Sequence, residues 1–487
     1  MSRKERLNQI IIRRLNNLKN MKKTYLLLLF VVLFLKGFSQ EQDMTLSLDQ
    51  FLEIVKLNHP TIKQALNDVE MSEAKIIGAR SGFEPSINGS YSETVFGEEQ
   101  YYQSFNPEVR IPTWFGIEAY GGINNLEGNK YNQSSTFGES SYVGVSIPLL
   151  KNLLMDSRRA TLKQSKLFLQ MSNFERDVVV NDLLMSAIES YWEYVNSYEL
   201  MSVINENLAN SQKRLDFIRK SYLNGEKAVI DTIEASNQYQ MFSYKRNDAE
   251  IRFMKSRLNL STFLWKNDNL PYELPQEVSP NQNWKGDLKN EKVEFILNKL
   301  LEASQVHPIV KTYELKREVL DIEKQLKFQS LLPKLDLYYN HLGKGYDVGN
   351  TLNNHRYFDD NFQTGVKFEL PILLMKGRSD YKIANLKLIN NDLDLVQKQN
   401  QINLKVKSYY NEYEILKRQL DLQYVIYDNY NKLVKAEEQK LMNGESSLFI
   451  VNSRQMKALD ALEKLINIQA KYFKTIYAIQ WSVGSLK

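Results

Sequence analysis

The sequence passes twice through one ordered set of landmarks, and this constrains the fold more than any other feature. Asn58-His59-Pro60-Thr61-Ile62 returns as Val306-His307-Pro308-Ile309-Val310, 248 residues later, and the same offset maps Pro85 onto Pro333 and Tyr91 onto Tyr339. Val145-Ser146-Ile147-Pro148 then matches Phe368-Glu369-Leu370-Pro371 at an offset of 223, and Asn224-Gly225-Glu226 matches Asn443-Gly444-Glu445 at 219. Matches in a fixed order mark a repeated structural unit. The offset falls by 25 between Pro85 and Pro148, which puts an insertion in the first copy. The expected division is a first repeat over 41–270, a linker over 271–290 marked by Pro271, Pro275, Pro280 and Gly286, and a second repeat over 291–487.

Each repeat follows one plan. A helix is expected at 48–82 and again at 291–330, ended by Pro85 and Pro333, because proline lacks the amide the next turn needs. Alternating segments follow and close at Pro148 and Pro371. A long helix is expected over 153–222 and 377–442, broken by Asn-Gly, with a returning helix over 227–264 and 446–482. Tyr191, Val195, Tyr198 and Met201 form one seam; Tyr413, Leu416, Leu420, Tyr424 and Tyr427 form the other. Steps of three and four are the spacing of helices packed side by side. A helix over 153–222 spans ~105 Å at ~1.5 Å per residue. The first and returning helices stacked end to end match that length, so their joint falls midway, where the linker crosses.

The leader carries the basic charge. Residues 21–40 read MKKTYLLLLFVVLFLKGFSQ, with Lys22 and Lys23 before an apolar run from Tyr25 to Leu35 and small residues before Gln40. This is the pattern of a secretory signal peptide cut near Ser39–Gln40, with residues 1–20 an upstream extension and Met21 the working start. The first 40 residues hold nine of the 63 Lys and Arg and one of the 58 Asp and Glu, so the remainder carries 54 bases against 57 acids. Nucleic-acid binding thereby loses its compositional support. The absence of cysteine excludes disulfides, thiolate metal sites, a cysteine nucleophile and a lipid on an N-terminal cysteine. Beyond the leader no stretch is apolar enough for a membrane helix, so membrane residence requires a β-barrel.

Candidate strands lie at 86–95, 140–147, 334–342 and 361–370, roughly the ~9–11 residues a tilted outer-membrane strand needs. Val143, Val145 and Ile147 alternate with Gly144 and Ser146, and Val366, Phe368 and Leu370 alternate with Lys367 and Glu369. One apolar and one polar face suits lipid outside and water inside; a small soluble sheet with one buried face is the competing reading. Four strands cannot close a barrel alone, so the protomer would have to oligomerise. Tyr91, Tyr142, Tyr338 and Tyr339 are candidates for an aromatic girdle at the membrane border. The insertion holds Trp114-Phe115-Gly116-Ile117-Glu118-Ala119-Tyr120-Gly121-Gly122, an extra hairpin arm without a fixed place.

Taken together, the chain resembles the TolC family of outer-membrane efflux proteins over about residues 41–487. The carriers are the doubled His-Pro, the prolines before and after the strands, and the glycine tips at Gly225 and Gly444. Arg158-Arg159-Ala160 and the Phe38-Ser39-Gln40 leader end look like flavobacterial-type members. The resemblance implies an α+β membrane protein of two tandem repeats. The resemblance further implies a homotrimer with a twelve-stranded barrel in the outer-membrane lipid and a twelve-helix coiled-coil tunnel through the periplasm. It also implies a periplasmic adaptor and an inner-membrane pump of RND or ABC type as partners, and a duct that passes small molecules or proteins without chemistry or cofactor.

Carried over residue by residue, the resemblance makes Asn224, Gly225 and Glu226, with Asn443, Gly444 and Glu445, the adaptor-contact tips. The plainer alternative is a glycine helix cap without a partner. Asp231 and Glu234, on the returning helix, would ring the pore constriction in three copies and favour cations; the alternative is a pair of solvated carboxylates. The same offsets in the second repeat give Ile450 and Ser453, so the ring would come from one repeat. Lys227, Lys440 and Arg454 are the candidate cationic partners. His59 and His307 precede proline at helix starts and read as structural. The sequence contains no Ser/His/Asp spacing, metal cluster or Gly-rich phosphate loop, which argues against an enzyme acting on envelope polymers. A secreted coiled-coil scaffold or adhesin is the rival from another class.

Overall fold

The computed structural model describes residues 45–128, 138–285, 294–353 and 361–486. The leader and part of the linker lie outside the described residues. The chain begins with β1 (Thr45–Leu46), α1 (Leu48–Asn58), α2 (Pro60–Arg80), β2 (Ser86–Phe96), β3 (Glu99–Pro112), β4 (Glu118–Glu127) and β5 (Glu139–Pro148). It continues through α3 (Ser157–Leu223), α4 (Val229–Ser261) and β6 (Ser279–Pro280). The second passage has α5 (Leu297–Ser304), α6 (Pro308–Gln329), β7 (Lys334–Lys344), α7 (Val348–Asn353), β8 (Phe362–Glu369), α8 (Met375–Met442) and α9 (Leu448–Ser482).

The single leading helix expected in each half is two helices, broken at His-Pro. Proline is tolerated at a first helical position but holds the residue before it extended. His59 is extended and its Nδ1 accepts from the Thr61 amide at 3.2 Å; His307 Nδ1 accepts from the Ile309 amide at 3.1 Å. Both histidines therefore cap helices.

The long helices run 67 and 68 residues, each on the order of 100 Å. Their packing follows a seven-residue rule. Ser197, Ile204, Ser211 and Ile218 are buried on α3; Ala235, Phe242, Ala249 and Ser256 are buried on α4. Antiparallel pairing sets Ile204 by Ala249, Ser211 by Phe242 and Ile218 by Ala235, large against small; the Ser197 and Ser256 hydroxyls touch. Val406, Tyr413, Leu420 and Val434 of α8 are buried at the same spacing, and Tyr413 and Leu420 pack in one cluster with Tyr472 and Leu465 of α9. The Tyr413 and Tyr472 rings stack at 5.5 Å. One seam residue differs from expectation: Tyr424 is exposed, and Gln423 takes the buried position and donates to the Ala461 carbonyl at 2.8 Å. The heptad passes through a glutamine that an apolar pattern skips.

The largest core lies at mid-height of α3. There α1, the end of α4 and the segment after it, and α9 converge on Tyr191, Trp192, Tyr194 and Val195. Tyr191 donates to the Leu46 carbonyl at 2.9 Å and Tyr194 to the Val278 carbonyl at 2.6 Å. These hydroxyls fasten β1 and β6, which pair in parallel.

On the far side of this level, burial, followed by the charge of Lys405, lowers the His307 pKa from 6.5 to about 4. The groups around it are Lys405 and Lys398 of α8 and Asp182 of α3, with the Gly484 backbone against the ring. Unfolded, this histidine binds its proton near pH 6.5; folded, only near 4. Stability is therefore expected to fall as pH drops from 6.5 towards 4. His307→Asn keeps a cap without the titration. Thermal melting at pH 7 and pH 4.5 should show a smaller acid loss in the variant; equal losses would exclude His307 as the source.

Candidate functional site

The sheet takes the order β2-β3-β4-β5-β7-β8, antiparallel throughout. Six strands replace the four expected, because the insertion supplies β3 and β4 between β2 and β5. The twelve-strand count rests on four strands per copy and does not fit this sheet.

The register sorts the side chains by face. Ile87 pairs with Val109, Ile111 with Ala119, Val145 with Tyr339, Leu337 with Val366 and Leu335 with Phe368. These residues share one face, and Ile87, Val109, Ile111, Val145, Leu337, Val366 and Phe368 are exposed on it. The opposite face carries Glu108, Arg110, Glu118, Tyr120, Tyr142, Asn340 and Lys367. Arg110 binds Glu108 and Glu118, each at 2.8 Å, and Arg158 at the start of α3 binds Glu118 at 2.9 Å. Tyr142 donates to Glu108 at 2.9 Å and Tyr120 to Asn340 at 2.8 Å. Of the four tyrosines proposed for a girdle, Tyr91 and Tyr339 lie on the apolar face, and Tyr142 and Tyr338 on the polar one. At one end of the apolar face α7 packs on Ser141, His341 and Gly343, where Thr351 meets the Ser141 hydroxyl at 2.9 Å. The rest of that face is bare, and an apolar face of this extent calls for a non-aqueous neighbour.

The opposite ends of the long helices form two matching turns. Gly225 and Gly444 have φ of +78° and +79°, the left-handed conformation that glycine adopts without strain. The Gly225 amide donates to the Tyr222 carbonyl at 2.9 Å and the Glu226 amide to Ser221 at 2.8 Å; Gly444 and Glu445 repeat this onto Leu441 and Lys440 at 3.1 and 2.9 Å. This double bond pattern ends a helix sharply. Asn224, Glu226, Asn443 and Glu445 are exposed, and a Cβ on either glycine would meet nothing within 4 Å. Leu223 is 81% exposed, Ile230 70%, Met442 88% and Phe449 69%, so both turns are rimmed with apolar side chains open to solvent.

Asp231 and Glu234 are engaged locally. The Asp231 carboxylate accepts from the Ala228 amide at 3.1 Å and starts α4. Glu234 accepts from Asn452 of α9 at 3.2 Å and lines a groove with Asn237, Met241, Phe449 and Asp460. Among the described residues, no ion pair joins either acid to Lys227, Lys440 or Arg454. The cation that does join the helices here is Arg214. It donates to Glu438 of α8 at 3.0 Å and to Gln455 and Asn452 of α9 at 2.6 and 3.2 Å, and Gln455 also donates to Glu438 at 2.9 Å. Burial lowers the Arg214 pKa, and Glu438 opposes that shift. Through Asn452 and Glu234 the network reaches all four helices. Its members differ between the repeats: the position of Arg214 relative to the tip glycine holds Leu433 in the second copy. Repeat symmetry therefore could not reveal it.

Among the described residues, no helix is long and apolar enough to cross a membrane, and no group of His, Asp and Glu is placed to hold a metal ion. No family model matches the chain, and no curated protein matches it. Solved structures do. The chain is similar to the CmeC outer membrane channel of Campylobacter jejuni at 15% identity, covering 90% of this chain and 86% of that chain, with a TM-score of 0.62. It is similar to the outer membrane protein VceC of Vibrio cholerae at 11% identity, 90% and 97% coverage and a TM-score of 0.64. It is also similar to the open-state MtrE outer membrane channel of Neisseria gonorrhoeae at 13% identity, 90% and 89% coverage and a TM-score of 0.61. The fold is that of the TolC-type outer membrane channels.

Proposed function

We propose that the chain is one subunit of a homotrimeric exit duct, its sheet in the outer membrane and its long helices in the periplasm. The observation that carries this is the sheet, apolar and exposed on one face and charged on the other, standing on helices that reach on the order of 100 Å away from it. A sheet with bare edges at β2 and β8 favours pairing with further copies. The two tandem repeats, 41–270 and 291–487, would each give every copy one long hairpin, so three copies supply twelve helices around a wet tunnel. The duct passes small molecules or proteins handed to it by a periplasmic adaptor and an inner-membrane pump, and its own role is passive.

The tips Asn224-Gly225-Glu226 and Asn443-Gly444-Glu445, with Leu223, Ile230, Met442 and Phe449 around them, are the surface offered to the adaptor. A photoreactive residue at Asn224, and another at Asn443, is expected to capture a periplasmic adaptor in cells. Capture only of neighbouring copies would keep the trimer and remove the adaptor assignment. Capture of nothing would count against the duct itself and favour a scaffold without a pore.

Asp231 and Glu234 are the proposed constriction. Asp231→Asn combined with Glu234→Gln keeps hydrogen-bonding groups at both positions and removes two charges per copy. The cation-to-anion permeability ratio in a planar bilayer is expected to drop by about threefold. An unchanged ratio would take these two residues out of the pore.

A further inference from the structure

We propose that the β3–β4 hairpin is part of the membrane wall, so that three copies close a barrel of eighteen strands. This rests on the trimeric duct reading above. Barrel diameter grows roughly linearly with strand number, so the mouth is about 1.5 times as wide as twelve strands would make it. The helical tunnel is unchanged, and the chain thus joins twelve helices to a broader exit.

Four observations support placing the hairpin in the wall. First, it lies inside the sheet. β3 pairs with β2 from Ser86↔Arg110 outward, and β4 pairs with β5 from Glu118↔Ser146 to Asn125↔Glu139, leaving no edge between them. Second, its alternation is in phase with its neighbours. Phe105, Val109, Ile111, Ala119 and Ile123 fall on the apolar face, and the three charges between residues 103 and 125 (Glu108, Arg110 and Glu118) all fall on the polar face. A flap lying in water has no reason to keep that phase, and its Phe105, Val109 and Ile111 would be exposed to water.

Third, the strands are 14 and 10 residues long, enough to cross a bilayer at a tilt. Fourth, the turn at 113–117 is anchored where sheet meets helices. Trp114 stacks on Phe83, just past α2, at 4.3 Å, and Arg158 reaches Glu118. Gly116 has φ of +86°, and a Cβ there would stand 2.9 Å from Arg159 Nη2. The hairpin therefore begins and ends at the level where the other strands do. Its Glu108–Arg110–Glu118 row would line the lumen directly above the tunnel, as a belt of alternating charge repeated three times.

The chain has no cysteine, so introduced ones are unique. Val109→Cys and Ile123→Cys test the hairpin, Asn124→Cys tests its polar face, and Val366→Cys on β8 is the reference for the wall. Each carries a nitroxide label, and the full-length protein is reconstituted into phosphatidylcholine vesicles. Relaxation is compared between oxygen, which partitions into lipid, and a water-soluble nickel chelate. The lipid-to-water accessibility ratio at 109 and 123 is expected within about twofold of that at 366 and about tenfold above that at 124. Ratios at 109 and 123 as low as at 124, with 366 still lipid-facing, would place the hairpin outside the wall and leave the duct standing. Low ratios at 366 as well would overturn the membrane reading of the whole sheet.

Discussion

Replacing Trp192 by alanine is expected to cost the folded subunit about 3–5 kcal/mol, the range for removing a large aromatic side chain from a packed core. Trp192 is 4% exposed and sits halfway along α3. Its ring stacks on Phe473 of α9 at 4.5 Å and meets Trp284 edge-on at 5.9 Å, while Trp284 also meets Phe473 at 5.8 Å. Three chain segments distant in sequence are held by this aromatic group. The α1 and α4 ends pack beside it through Phe51 and Leu260, so the cavity would open at the joint between stacked helices. Thermal unfolding in detergent followed by circular dichroism measures the loss. Trp192→Phe, which keeps a ring against Phe473, is expected to recover more than half of it. A midpoint unchanged in Trp192→Ala would mean that the long helices alone hold the two halves together.

Arg214→Ala is expected to loosen the tips without unfolding the subunit. The side chain makes charge-assisted bonds to Glu438 and bonds to Gln455 and Asn452. Removing a fully buried charge partner typically costs 3–5 kcal/mol, but Glu438 is 39% exposed and regains water when freed. A loss of about 2 kcal/mol is the reasonable scale. Spent on the balance between joined and separated hairpins, that is roughly a thirtyfold shift. In a planar bilayer it should appear as a higher open probability, with the thermal midpoint nearly unchanged. Arg214→Lys, which retains the charge but reaches fewer partners, should lie between. Normal folding with no change in open probability would show that the hairpins are joined by Leu448 packing on Leu215, Ile218 and Ala235 instead.

Much of the architecture was legible because periodicity is a local property. Proline at the helix starts, glycine at the tips and alternation in Val143-Gly144-Val145-Ser146-Ile147 act through backbone geometry within a few residues, so they fix elements before any packing is known. The long helices fall at 157–223 and 375–442, within four residues of expectation at every end. The 25-residue slip between the repeats already located the insertion that became β3 and β4. What the slip could not give was the hairpin's place. Strand order depends on which edges remain unpaired, and Ala119-Tyr120-Gly121-Gly122 is too small and glycine-rich to announce a wall strand. Gln423 was missed for a related reason: a polar residue satisfied by the Ala461 carbonyl is invisible to an apolar pattern.

The candidate site divides along the same line. The tips could be read from Asn-Gly because a helix ending needs a left-handed residue wherever it stands. The network around Arg214 could not, since its members come from four helices at separations of 224 to 241 residues for the Arg214 contacts, and no local rule ties them. The sequence by itself determined the repeat, the helix lengths, the turns and the two-faced strands. Only the tertiary structure decided that the sheet has six strands, that Asp231 starts a helix, and that Arg214 joins the hairpins. Backbone preferences are settled between neighbours in the chain; strand order and charge pairing are settled by which surfaces meet once the chain has folded.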